Sequence, residues 1–156
     1  MATVQTFRDL RAWQQCREVR QRVRQLVKTW PQEEMDRLAD QIIRSSRAAT
    51  AMLAEGYGRF YEKENLRYCR MCRGELYETQ DHLITAFDEG FITEAQCNES
   101  IELVQQAIRT LNGYMRYLKS MSDGPSESGV SEPGALYGDL AAPSIVEEMT
   151  RPDMER

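Results

Sequence analysis

Arg17, Arg20, Arg24 and Lys28 recur at i, i+3, i+7 and i+11, a spacing that places four cations on one side of a helix. Such a stripe suits phosphates, because a planar guanidinium offers paired N–H donors and grips a phosphate in bidentate fashion. With Arg8, Arg11 and Arg22 this segment holds seven basic residues against Asp9 and Glu18. Lys63, Arg67 and Arg70 repeat the device further along, and Arg44 with Arg47 add two guanidinium groups between the two stripes. Arginine outnumbers lysine 15 to 3 in residues 1–121. Two readings stay open. The cations bind the backbone of RNA or DNA, or they form a solvated face or intersubunit ion pairs with Glu33, Asp40, Glu75 or Glu78.

Other chemistries lack parts. Cys69 and Cys72 form a CxxC with His82 ten residues later, but the second cysteine pair of a tetrahedral zinc site is missing. With Cys16 and Cys97 they read as reduced, buried thiols rather than a disulfide framework. Glu55, Glu75 and Glu78 suggest a carboxylate site, yet a di-iron bundle needs Glu-x-x-His motifs, and the one histidine, His82, has Thr79 three residues before it. No nucleophile, base and orienting group stand in a recognisable order, and no phosphate-binding glycine loop precedes a helix. The expectation is a protein without catalytic residues, metal or cofactor.

The elements that would position these residues are helical. Helix 1 is expected from about Phe7 to Trp30, with Thr6 as N-cap, Asp9 in the first turn and Ala12, Cys16, Val19, Val23, Leu26, Val27 and Trp30 as the apolar line. Pro31 ends it and suits the start of the next, which is expected to run to Glu55 along Met35, Leu38, Ile42, Ser45, Ala49, Met52 and Leu53. Helix 3 is expected over Glu62 to Glu89. Its line is Leu66, Cys69, Cys72, Leu76, Thr79, Leu83 and Phe87, and Gly74 is kept for close packing despite costing about 1 kcal/mol relative to alanine. Gly90 stops it. Thr93 and Gln96 form a capping box for helix 4, whose Ile101, Val104, Ile108, Leu111, Met115 and Leu118 make a heptad seam. Short connections force neighbours antiparallel, so the expected fold is all-α, an up-down-up-down four-helix bundle over residues 1–121.

From Ser122 the composition shifts to Gly, Pro, Ser and Glu, too polar to offset its ordering entropy, and residues 122–156 read as a disordered acidic tail. Residues 1–121 hold 18 Lys+Arg and 17 Asp+Glu, and residues 122–156 hold 2 and 8, which together recover the chain's net charge of −5. An acidic chain total therefore does not exclude a polyanion partner. The first residues lack the apolar run of a signal peptide and no window approaches a membrane span, so the expected compartment is the cytoplasm, away from membrane.

Between helices 2 and 3 lies Glu55-Gly56-Tyr57-Gly58-Arg59, read as a structural corner. Gly56 and Gly58 are expected to supply positive φ for the turn, and Glu55 and Arg59 to fix it. Taken with Phe7 to Trp13, Trp30-Pro31, Gln41 to Ala49 and Arg73 to Leu83, this order resembles the ribosomal-RNA intervening-sequence proteins, a four-helix-bundle family. The likeness covers about residues 7 to 119. Gln41, Arg44, Glu55, Gly56, Gly58 and Arg59 match its second-helix and corner motif, and Gly74, Leu76, Glu78 and Leu83 its third-helix motif. Met52 stands where an asparagine is usual, which implies altered packing at the corner, and Glu75 replaces a serine. The resemblance implies a homo-oligomer, specifically a homopentamer. Through the related accessory variability proteins of diversity-generating retroelements, it also implies binding to nucleic acid and to a reverse transcriptase. The leading expectation is a non-enzymatic, oligomeric nucleic-acid-binding adaptor. The alternative is a structural or protein-interaction module whose arginines serve subunit pairing.

Overall fold

The computed structural model describes residues 4–59 and 61–123. Within them the chain forms α1 (Arg11–Val27), α2 (Leu38–Gly58), α3 (Glu62–Asp88) and α4 (Glu94–Asp123), with short 3-10 turns at Phe7–Asp9 and Gln32–Glu34 and no strand. α4 runs through the expected boundary at residue 121 and ends at Asp123. The remainder of the expected acidic tail, residues 124–156, lies outside the described residues.

Each helix follows from its apolar period. α1 and α3 both pack on α2 and α4, which makes α1 and α3 diagonal partners. Neighbours run antiparallel. Ser45 meets Thr79 while Gly56 meets Tyr68 across α2/α3, and Asn65 meets Tyr114 while Leu83 meets Cys97 across α3/α4. Arg22 reaches Glu99 while Trp30 lies against Phe91 across α1/α4. The arrangement is the expected up-down-up-down bundle. Val19, Val23, Ile42, Leu53, Leu76, Leu83, Val104 and Leu111 are fully enclosed between the helices. Burying each such side chain contributes about 1.5–3 kcal/mol. Cys16, Cys69, Cys72 and Cys97 are all buried and free, and the Cys16 and Cys72 sulfurs lie 3.9 Å apart across the diagonal.

Several boundaries differ from expectation, each for a physical reason. Helix 1 does not start as an α-helix at Phe7, because the Gln5 and Thr6 amides both donate to Asp9 Oδ2 at 2.9 Å and close a separate capped turn. Leu10 then takes an extended conformation (φ −67°, ψ 120°) that buries its side chain, and α1 begins at Arg11. Helix 2 likewise begins at Leu38, after the Gln32–Glu34 turn that follows Pro31.

The largest correction concerns the corner. α2 does not stop at Glu55 but continues to Gly58, and the chain turns through extended Arg59 and Tyr61. Gly56 and Gly58 therefore remain helical. The one positive-φ glycine among the described residues is Gly90 (φ 77°), at the stop expected after α3. Gly56 is needed instead for close approach: a Cβ there would lie 2.7 Å from Tyr68 Cβ and 2.8 Å from Asn65 Oδ1. Gly74 shows the reverse. It is exposed, and a Cβ would meet nothing within 4 Å among the described residues.

The start of α4 behaves as its capping box requires. The Thr93 amide donates to Gln96 Oε1 at 2.9 Å, and the Gln96 amide donates to Thr93 Oγ1 at 3.2 Å. Thr93→Ala is expected to lower stability by about 1 kcal/mol through loss of one arm of the box. Urea unfolding should show a lower midpoint at an unchanged slope.

Candidate nucleic-acid interface

The α1 stripe does not splay evenly into solvent. It leans toward α2, where Arg20, Gln21, Val23 and Arg24 of α1 and Ile43, Ser46 and Arg47 of α2 line a groove of about 200 Å³. Its floor is apolar and its rim is cationic. Arg20 is half-buried, and its Nη1 donates to Thr50 Oγ1 at 2.8 Å, while the Thr50 hydroxyl donates back to the Arg47 carbonyl at 2.9 Å. Thr50 thus anchors one guanidinium before any ligand arrives, which reduces the entropy cost of binding. Arg24 and Arg47 are exposed, and no ion pair ties their guanidinium groups among the described residues. No acidic side chain lines this groove.

The structure sorts the other expected cations differently. Arg17 on α1 and Lys28, the residue that follows α1, are exposed but do not line the groove. Arg44 is also outside it, with its Nε 2.9 Å from Asp40 Oδ2, one turn earlier on the same helix. That pairing partly cancels the charge it offers to a ligand. Lys63, Arg67 and Arg70 are exposed on α3, the helix diagonal to α1, and so form a separate face. Arg22 points the other way, toward α4, where it pairs with Glu99 at 3.0 Å and donates to Ser100 Oγ at 3.2 Å. Gln21 and Ser46 line the groove and Thr50 braces it, and the charge pattern alone picks out none of the three. The one available signal is the place of Thr50, a turn after Arg47.

The corner residues do assemble, with a partner that sequence spacing does not suggest. Arg59 Nη2 donates to Glu55 Oε1 at 2.7 Å and to Tyr68 Oη at 2.8 Å, and the Tyr68 hydroxyl donates to the same Glu55 oxygen at 2.8 Å. The Arg59 guanidinium also stands over the Tyr68 ring, 5.1 Å from its centroid. The end of α2 is thereby tied to the first turns of α3. Tyr57 is half-buried and Tyr61 exposed beside this corner, while Phe60 lies outside the described residues.

Hydrogen bonds from Arg59, then from Tyr68, hold the Glu55 carboxyl below its ordinary value of 4.5. A depressed carboxylate contributes stability that is present above its unfolded pKa and lost as pH falls through the folded one. Glu55→Gln should therefore lower the thermal midpoint at neutral pH. The gap to the parent protein should close as the pH is taken below about 4.5.

No group of three or more His, Cys, Asp or Glu among the described residues is placed to hold a metal ion. Burial pushes the Cys69 thiol up to about 12 and the Cys97 thiol up to about 11, so neither is a thiolate near neutral pH. His82 is buried and contacts Glu78 at 3.3 Å, one turn away on the same helix rather than near the other cysteines of a metal set. No described helix is long and apolar enough to cross a membrane.

Fold and groove together define an antiparallel four-helix-bundle protein with a cationic furrow between its first two helices. Residues 8–113 match the model of the 23S rRNA-intervening sequence protein family, and the chain belongs to that family. Among curated proteins no match is found.

Proposed function

We propose that this chain is a non-enzymatic, oligomeric adaptor that binds nucleic acid along the α1/α2 groove. The observation that carries this reading is the convergence of Arg20, Arg24 and Arg47 on a groove with no acidic lining. Arg17 on α1 and Lys28 just past its end extend the cationic track. The bound partner is the phosphate backbone rather than a base edge, because three guanidinium groups on helix faces supply charge and forked donors but no pocket for a base. On the resemblance to the accessory variability proteins, the protein recruited to that nucleic acid is a reverse transcriptase, and the compartment is the cytoplasm.

Counterion release sets the test. Three phosphate contacts give a slope of about −2.7 for log affinity against log salt on duplex DNA, and about −2.1 on a single strand. Gel-shift titrations of the full chain over a salt series, with RNA and DNA probes, measure that slope. No shift with either probe at low salt would remove the reading.

One observation favours a second reading, in which arginines serve pairing. Arg22 and Arg44 already spend their charge on Glu99 and Asp40. If Arg20, Arg24 and Arg47 pair with carboxylates of another copy, replacing them lowers the mass of the assembly and leaves no nucleic-acid affinity to lose.

A further inference from the structure

The groove between α1 and α2 carries more than a phosphate needs. Arg20, Arg24 and Arg47 supply charge at its rim, but Val23 and half-buried Ile43 form an apolar floor from which a phosphate gains nothing. Apolar surface beneath two exposed guanidinium groups, Arg24 and Arg47, suits a segment that brings apolar side chains and carboxylates together. The chain holds such a segment beyond α4. Residues 124–150 contain Glu127, Glu132, Asp139, Glu147 and Glu148 and no lysine or arginine. Within them, Ile145-Val146-Glu147-Glu148-Met149 sets two carboxylates among three apolar residues.

We propose that residues 145–149 dock in the α1/α2 groove of their own chain, with Glu147 and Glu148 on the Arg24 and Arg47 guanidinium groups and the apolar side chains on Ile43. Reach selects this segment over the acidic residues nearer α4. Arg22 pairs with Glu99, so the groove is level with that point of α4, and the helix then runs on to Asp123, about 36 Å further along the bundle at about 1.5 Å per residue. At about 3.4 Å per residue, the chain beyond Asp123 extends at most about 14 Å to Glu127 and about 31 Å to Glu132, short of the return, but about 75 Å to Ile145. The step round α1, one helix spacing of about 8–10 Å, is within that reach. Asp139 is in reach too, but it offers a single carboxylate to two guanidinium groups. Tethering gives the segment a local concentration of about a millimolar, so modest contacts suffice to hold it. A ligand for the groove then meets a competitor in place, and its apparent affinity falls with the fraction of grooves left open. That last step rests on the nucleic-acid reading of the groove, whereas the docking does not.

Glutamyl-specific proteolysis of the full chain tests the docking without nucleic acid. The parent should be cut after Glu147 and Glu148 at least about fivefold more slowly than the variant Arg24→Glu with Arg47→Glu. Cleavage after Glu127, which cannot reach the groove, should proceed at the same rate in both. Gel shifts then test the competition. Glu147→Gln with Glu148→Gln should tighten nucleic-acid binding by about the factor of protection seen in proteolysis. Glu127→Gln with Glu132→Gln makes the same change of charge out of reach and should leave the affinity as it was. Equal cleavage after Glu147 and Glu148 in the parent and the groove variant overturns the proposal. Protection that grows with protein concentration overturns it too, by giving the groove to the same segment of another copy. An affinity equally raised by both glutamine pairs, or by neither, overturns the competition. Protection with no gel shift for any variant supports the docking and removes only the nucleic-acid reading.

Discussion

Charge reversal at the groove, Arg20→Glu with Arg24→Glu and Arg47→Glu, is expected to weaken nucleic-acid binding by at least about 1,000-fold at low salt. A hydrogen bond to a charged group is worth about 1.5 kcal/mol at the lower end, so removing three guanidinium groups costs about 4.5 kcal/mol before repulsion is added. The salt slope should flatten by about one for each phosphate that is no longer neutralised. Arg20 needs separate treatment because its guanidinium also bonds Thr50, so its loss disturbs the α1/α2 packing as well as the groove. The double variant at Arg24 and Arg47 avoids that, since both side chains project from the surface. It should keep the parent melting temperature and still bind about 100-fold more weakly. Arg44→Glu is the internal control. Its charge is already paired with Asp40, and it stands outside the groove, so its effect should stay within about threefold. Equal losses at Arg44 and at the groove would mean a diffuse field rather than a site.

Gly56→Val should give the largest loss of stability of any single change at the corner, about 3 kcal/mol. The nearest atoms to a new Cβ are Tyr68 Cβ at 2.7 Å, Asn65 Oδ1 at 2.8 Å and the Asn65 carbonyl at 3.3 Å. Two of these are fixed to the α3 backbone, so relief requires α2 and α3 to part rather than a side chain to swing. Overpacking of this kind costs about 1–3 kcal/mol, and a β-branched residue adds crowding against the preceding turn. Gly56→Ala should fall nearer 1 kcal/mol, because alanine recovers about that much helix propensity against the same clash. Asn65 adds to the strain: its amide donates to Tyr114 Oη at 3.0 Å, so pushing Asn65 aside also disturbs the α3/α4 contact. Gly74→Ala is the matched comparison. In open space it should raise the monomer's stability by about 1 kcal/mol. Urea denaturation of the three variants measures all of these, and a Gly56→Val midpoint equal to the parent's would mean that α2 and α3 are not in contact there.

Much of the fold is legible in the order of residues. The apolar lines of the four helices reappear as the buried core, apart from Met35, Met52 and Phe87, which pack half-buried against it, and Pro31, Gly90 and the Thr93–Gln96 box mark breaks where the chain does break. Those signals are local, each set by one residue's φ restriction or by hydrogen bonds within a few positions. The corner misleads for the complementary reason. A glycine pair after a helical run signals a turn equally with close packing, and only the position of Tyr68 on α3 distinguishes the two. The site divides in the same way. The α1 stripe is visible as a period. Its convergence with Arg47, the anchoring by Thr50 and the separation of the α3 cations depend on which faces of the helices meet, whereas Arg44 is neutralised within its own helix by Asp40, one turn earlier.

By itself, then, the sequence determined the helices, their order and their inward faces, because hydrophobic periodicity and capping act over distances of one or two turns. Tertiary structure decided which arginines share a groove, which glycine is a contact and which is bare, and which tyrosine joins Glu55 and Arg59 at the corner. Those outcomes turn on pairs of residues brought together from different helices, and separation along the chain carries no record of such distances.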